Sequence, residues 1–310
     1  MDTEIDSPNK IDITKFQKGE RISKSELGSV YKVEEKETGN FYAAKILDCE
    51  DDEDKCDDII KDKIGLLKIK NPAIIEIIGY SNVDFYDENN VTIITELTKN
   101  GSLADIFQKI QEDNIPEDYT NSSRQIIITG IAVGMKYLHD NNIINQNFKP
   151  ENILLDDNFY PKIADFIFES QEDQLYNQTQ FYTSLQYKAP EVLENSSKHD
   201  KKSDVYSFGI LMYQILTDSI PFCDFLDGKI SEFDFKNNVI HKYYRPEFKN
   251  PINENLRHLI EKCWSQNPEE RPTFDEIIIK LTNNNNFEKV DDKNNYFLDE
   301  IDKEKVKYYI

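Results

Sequence analysis

Apolar and polar positions divide the chain into two regimes. From Phe16 to Leu97 the apolar residues alternate or come in short runs. Glu20–Val33 and Phe41–Leu47 carry the pattern of strands, with a turn at Glu37-Thr38-Gly39-Asn40 between them, which predicts a hairpin. Ala73–Tyr80 and Val91–Leu97 predict two further strands. Between the two pairs, Ile60, Ile64 and Leu67 fall on one face of a helix over about Asp58–Ile69. From Leu103 onward the period is helical. Ser122–Asn141 forms a long apolar-faced helix, and another runs from Ser203 through Leu216. Short strands with one helix, followed by a mainly helical remainder, make an α+β chain.

The stretch Ile143–Ile167 carries the densest chemistry. An apolar pair leads into a polar loop with Lys149, Pro150, Glu151 and Asn152. A short strand, Ile153–Leu155, follows, then a turn at Asp156–Tyr160, then a second strand that delivers Asp165. One hairpin thus offers an ammonium, an amide and a carboxylate. That set suits a phosphate with its magnesium, because two oxygen donors are hard ligands for a hard cation.

These residues resemble the catalytic loop and magnesium loop of the eukaryotic protein kinases. The family's H-R-D-L-K-x-x-N is met by Asn145-Gln146-Asn147-Phe148-Lys149-Pro150-Glu151-Asn152, and its D-F-G by Asp165-Phe166-Ile167. Other stretches resemble the family in order. Ile22–Val30 is similar to the glycine-rich loop, with Ser23 and Ser25 at glycine positions and Gly28 kept. Phe41-Tyr42-Ala43-Ala44-Lys45 resembles the third strand, and Lys45 fits the lysine that grips the phosphates. Asp62 falls where the family has the glutamate paired to that lysine. It is one methylene shorter, and with Gly65 in the same helix it suggests a movable or displaced helix. Thr95-Glu96-Leu97 resembles the hinge, where Thr95 would guard the pocket and the Glu96 and Leu97 backbones would meet adenine. Val30, Ala43 and Leu154 fall at the positions that sandwich the ring. Tyr187-Lys188-Ala189-Pro190-Glu191, Ser203–Gly209 and Asn267–Pro272 resemble further family motifs, and Glu191 with Arg271 matches its buried ion pair.

The resemblance implies a bilobal kinase fold over residues 16–282. It would have a small N-lobe (16–96) of antiparallel sheet plus one helix, and a large, mainly helical C-lobe (99–282). Residues 1–15 would form an arm and 283–310 a polar tail. It implies ATP and Mg²⁺ as ligands, and Asn152 and Asp165 as metal donors.

The departures shape the expected activity. Asn147 stands at the catalytic-base position, and an amide is a very poor base; losing a general base typically lowers the rate by roughly 10²–10⁴. Lys45, Lys149, Asn152 and Asp165 remain for positioning and charge stabilisation, on which phosphoryl transfer mostly relies. Gln146 replaces the arginine that receives activation-segment phosphate, so phosphate on Tyr182, Thr183 or Ser184 is expected not to activate. Asn145 weakens a packed column whose other members match Leu66, Ile77 and Phe166. Ile167 stiffens the magnesium loop, since a β-branched residue resists φ > 0. Glu151 is a common family residue at its position and is not read as a substitute base. The chain is therefore expected to be a nucleotide-binding pseudokinase acting as regulator or scaffold. The alternatives are an active serine/threonine or dual-specificity kinase with an unusual catalytic loop, and a nucleotide-free interaction module.

Charge and cysteines narrow the setting. A net charge of −22 disfavours nucleic acid and acidic membrane, and favours a basic protein partner or substrate. There is no run of 18 or more apolar residues and no signal-peptide pattern, so no membrane span is expected. The four cysteines have neither metal nor disulfide spacing, which suits free thiols and a cytoplasmic setting.

Overall fold

The computed structural model describes residues 10–25, 28–47, 69–165, 185–249 and 251–282. They form two compact units. One takes in the described residues up to Lys70 together with Ile74–Lys99; the other takes in Asn71–Ala73 and those from Asn100 onward.

The first unit is a five-stranded antiparallel sheet: β1 (Phe16–Ser25), β2 (Gly28–Glu35), β3 (Phe41–Leu47), β4 (Ile77–Ser81) and β5 (Thr92–Glu96), in the order β1-β2-β3-β5-β4. The run Glu20–Val33, read above as one strand, is two. Ser25 pairs with Gly28, and the chain reverses between them. Gly28 has φ 138°, and a Cβ there would lie 2.0 Å from the Ile46 carbonyl oxygen. Only a glycine allows that approach. Strand β4 also begins later than its apolar run suggests. The Ala73 N–H donates to Asn71 Oδ1 at 2.9 Å, and its carbonyl accepts from the Ile163 N–H at 2.8 Å. Its backbone groups are therefore committed outside the sheet.

Alternation assigns the two faces. Ala44, Val33 and Ile94 are buried against Ile13 and Phe16, with Tyr31 and Tyr42 packed around them. The opposite face carries Val30, Ala43, Lys45 and Thr95. Val30 lies directly across from Lys45, and Ala43 across from Thr95.

The second unit is helical apart from one hairpin. It comprises α1 (Leu103–Gln111), α2 (Asn121–Asp140), the hairpin β6 (Ile153–Leu155) with β7 (Pro161–Ile163), α3 (Pro190–Glu194), α4 (Lys201–Thr217), α5 (Cys223–Leu226), α6 (Glu232–His241), α7 (Glu254–Cys263) and α8 (Phe274–Thr282). Capping boxes start α1 (Ser102 with Asp105), α2 (Thr120 with Ser123) and α4 (Asp200 with Ser203). Helix α4 is buried continuously from Ser203 to Ile215, and the side chains of Ser203, Asp204, Ser207, Tyr213 and Gln214 find partners inside the protein. Helix α2 supports the hairpin. A Cβ at Gly130 would meet Pro161 Cγ at 2.5 Å, and one at Gly134 would meet Ile163 Cδ1 at 2.8 Å. The two glycines let β7 lie directly on the helix.

The expected ion pair forms. Arg271 is fully buried and grips Glu191 with two parallel bonds, Nη1 to Oε1 at 2.5 Å and Nη2 to Oε2 at 2.9 Å. Its remaining donors reach the Ser265 and Lys202 carbonyls. The pair thus ties α3 to the loop before α8, and removing either partner would strand a buried charge.

Candidate active site

Asp204 on α4 organises the loop that carries the catalytic-type residues. Its carboxylate is almost wholly buried and meets three groups. His139 Nε2 lies at 2.9 Å, the Asn145 N–H at 2.8 Å and the Gln146 N–H at 3.2 Å. In the tautomer with its proton on Nε2, His139 donates to the carboxylate. Burial of the charge is tolerable because these donors replace water. Gln146 adopts φ 57°, a rare conformation for a residue with a side chain. Its peptide is held from both sides, with its N–H on Asp204 and its carbonyl accepting from Lys188 Nζ at 2.6 Å. Burial pushes the Lys188 ammonium down to about 8; Lys149 adds repulsion and Asp204 opposes the shift.

From this anchored peptide the chain turns into the site. Asn147 is buried, and its N–H turns back on the Asn145 carbonyl and side-chain oxygens. Its Nδ2 donates to the Asp165 carbonyl at 3.3 Å. Asn152 Nδ2 donates to the Asn147 carbonyl at 2.7 Å, and the Ala164 N–H donates to the Asn152 carbonyl at 2.8 Å. These bonds bring Asn147, Asn152 and Asp165 together. Asp165 has φ 52°, a left-handed conformation that costs a non-glycine residue on the order of 1 kcal/mol or more. Lys149 is half-buried, just before the single 3₁₀ turn Pro150–Asn152, and Glu151 is exposed.

Asn152 Oδ1 and the Asp165 carboxylate are hard oxygen donors. They fit magnesium, which takes one or two protein ligands and completes its shell with phosphate and water. Among the described residues no group of three His, Cys, Asp or Glu could hold a metal by itself. A cation there would draw its other ligands from phosphate and water.

The remaining candidates sit on separate elements. Val30, Ala43, Lys45 and Thr95 share one sheet face and are half-buried. The Thr95 hydroxyl donates to the Glu96 carbonyl at 3.2 Å, while the Glu96 N–H is taken by the Glu76 carbonyl at 3.0 Å. Leu97 follows β5 and is half-buried. Leu154 pairs with Lys162 in the hairpin and bridges to Ser102. Ser23 is exposed on β1, and Ser25 and Gly28 close the β1–β2 turn. Asp62 and the helix expected around it, Leu66, Phe166, Ile167, the hydroxyls of Tyr182, Thr183 and Ser184, and residues 283–310 lie outside the described residues.

Comparison with known proteins decides the family. The model of the protein kinase domain matches residues 16–280, most of the chain. The chain belongs to the protein kinase family.

Its relatives include kinases of two specificities. This kinase domain is 30% identical over 270 residues to the dual specificity protein kinase shkB of Dictyostelium discoideum, covering 84% of this chain and 39% of that protein. It is 29% identical over 214 residues to the serine/threonine-protein kinase STY17 of Arabidopsis thaliana, covering 69% of this chain and 35% of that protein. It is 33% identical over 221 residues to the dual specificity protein kinase shkC of Dictyostelium discoideum, covering 69% of this chain and 40% of that protein. The chain therefore spans well under half the length of each.

Three residues of the loop's support were given no role by sequence reasoning. Asp204 and Lys188 lie within motifs that resemble the family's, Ser203–Gly209 and Tyr187–Glu191, but nothing local shows that their side chains turn toward the Asn145–Gln146 peptides; His139 lies in none of those motifs.

Proposed function

We propose that this kinase domain binds ATP with magnesium and acts mainly as a pseudokinase, a regulator or scaffold in signalling with lost or slow phosphotransfer. The observation that carries the reading is Asn147. At the base position stands an amide whose nitrogen donates to the Asp165 carbonyl. Its other atom, a neutral oxygen, orients a hydroxyl but takes a proton poorly. The residues for binding are kept: Lys45 for the phosphates, Asn152 and Asp165 for magnesium, Val30, Ala43 and Leu154 for the ring, and the Glu96–Leu97 backbone for its edge. The partner is proposed to be a basic protein, from the net charge of −22, and the setting the cytoplasm, from the cysteine pattern. No described helix is long and apolar enough to cross a membrane.

The second reading, an active serine/threonine or dual-specificity kinase, is favoured by the activities for which the relatives are named and by the retained Lys149 and Asn152. One experiment separates the two. Purified protein is incubated with labelled ATP, magnesium or manganese and a generic basic substrate, with Asp165→Ala as control. A melting-temperature rise with Mg-ATP but no incorporation above the control supports the pseudokinase. Incorporation that vanishes in the control makes this an enzyme. Absence of any shift with Mg-ATP rejects both and leaves an interaction module.

A further inference from the structure

The Lys188 ammonium is buried, and its amine meets the Gln146 carbonyl at 2.6 Å. That oxygen belongs to the peptide unit that joins Gln146 to Asn147. The N–H of the same unit turns to the Asn145 carbonyl at 2.6 Å and to Asn145 Oδ1 at 3.1 Å. One peptide plane is thus held at both edges, directly after a residue at φ 57°. A side-chain-bearing residue stays in that left-handed region only where its surroundings over-determine it.

Lys188 is itself delivered by a fixed frame. The carbonyl of its neighbour Tyr187 accepts from Ser207 Oγ at 2.7 Å, and the Tyr187 hydroxyl donates to Gln214 Oε1 at 2.6 Å. The Lys188 N–H donates to the Leu185 carbonyl at 3.1 Å. Three residues further on, Glu191 grips Arg271. Asp204 and Ser207, three positions apart, are neighbours on one face of α4. The first takes the Gln146 N–H and the second the Tyr187 carbonyl. The Lys188 amine joins the two segments that α4 holds, which closes a ring of hydrogen bonds.

The held peptide leads straight to the candidate metal donors. The Asn147 carbonyl accepts from Asn152 Nδ2 at 2.7 Å, and Asn147 Nδ2 donates to the Asp165 carbonyl at 3.3 Å. The first bond commits the Asn152 amide nitrogen, so Oδ1 is the atom of that side chain left to serve a cation. We infer that Lys188 is a positioning residue for the magnesium site: through the Gln146–Asn147 peptide it sets where Asn152 and Asp165 stand. This role rests on the reading above, in which those two residues hold magnesium. Partners just outside a metal's ligands typically change its affinity by about 10–100-fold, and Lys188 stands further out, so the lower end applies.

The experiment compares the full chain with Lys188→Met, which keeps length but loses the donor, and Lys188→Arg, which keeps a cationic donor. Hydrogen exchange without nucleotide reads the loop. The Asn147 amide is expected to exchange about fivefold faster in Lys188→Met, with the α4 interior unchanged, and to recover in Lys188→Arg. Titration of Mg²⁺ in the presence of ATP, followed by melting temperature, reads the metal. The Mg²⁺ concentration at half the shift is expected to rise about tenfold in Lys188→Met and to return toward the original in Lys188→Arg. Exchange that quickens uniformly, as for a merely structural lysine, or an unchanged Mg²⁺ midpoint overturns the proposal. An unaltered chain with no Mg²⁺-dependent shift overturns the nucleotide reading and the magnesium role with it, while exchange still reads the hold on the loop separately. Should Lys188→Met fail to fold, reductive methylation of the unaltered chain decides. Lys188 is expected to resist where the exposed Lys242 reacts, and equal labelling of the two overturns the proposal.

Discussion

Replacing Asp204 by Asn changes one buried oxygen to an NH₂ and removes the charge, with almost no change of volume. In the unaltered protein the carboxylate meets His139 Nε2 at 2.9 Å and the Asn145 and Gln146 N–H groups at 2.8 and 3.2 Å. Asn145 N and His139 Nε2 both address Oδ2, while Gln146 N addresses Oδ1. Whichever way the amide is turned, its nitrogen points at one or two N–H groups. A hydrogen bond to a charged acceptor contributes about 1.5–3 kcal/mol, and leaving a buried donor unpaired costs about 1–3 kcal/mol. The substitution is expected to cost about 2–4 kcal/mol, a large share of the roughly 5–15 kcal/mol that holds a domain folded. Turning the amide oxygen toward Oδ2's two donors gives the lower end of that range, and the reverse gives the upper.

The chain's one tryptophan, Trp264, is buried beside Tyr213 and Phe248 and reports unfolding of this unit by fluorescence in urea. Hydrogen exchange adds a local reading, because the Asn145 and Gln146 amides are the groups the carboxylate holds. Their protection is expected to fall more than that of the α4 interior. An Asp204→Asn protein within 0.5 kcal/mol of the original, with both amides as protected as before, would refute the claim that this carboxylate positions the loop.

Three further substitutions probe other side chains of the same unit. Asn147→Asp restores a carboxylate at the base position and is expected to raise phosphotransfer by about 10²–10⁴. Its oxygen would then face the Asp165 carbonyl, at a cost of about 1–3 kcal/mol in urea denaturation; incorporation no higher than in Asp165→Ala would show that Asn147 is not what limits the reaction. His199 is pushed down to about 3 by burial and by Lys188, with Ser203 Oγ 3.4 Å from Nδ1. The unfolded chain therefore takes up this proton below about pH 6.5 while the folded chain does not until about pH 3, so stability falls with acidification across that window, by up to about 1.4 kcal/mol per pH unit. His199→Asn should flatten the stability–pH curve between pH 6 and 4, and an unchanged slope would contradict this assignment. Tyr206→Phe removes an unpartnered buried hydroxyl while keeping the ring between Arg245 and Arg271, so it is expected to stabilise by about 1 kcal/mol; a loss of stability in urea would show that the hydroxyl has a partner after all.

Local pattern was enough to reveal much of this protein. Alternation in Phe41–Leu47 and the apolar period of Ser122–Asn141 are local properties, and both elements formed close to their predicted bounds. The order of short motifs around Lys45, Asn152, Asp165, Glu191 and Arg271 was legible too, since each motif is a few adjacent residues. What the sequence could not supply was partnership across distance. Glu20–Val33 divides into two strands because Gly28 must pass the Ile46 carbonyl, a contact made only when β2 and β3 pair. Ala73 stands outside β4 because its backbone is claimed by Asn71 and by Ile163 of the hairpin. The loop of Asn145–Asn147 is shaped by Asp204 and Lys188, some 60 and 40 positions along the chain. Periodicity records which side of an element is buried. It does not record which donor meets which acceptor, because hydrogen-bond geometry is fixed only when the elements pack.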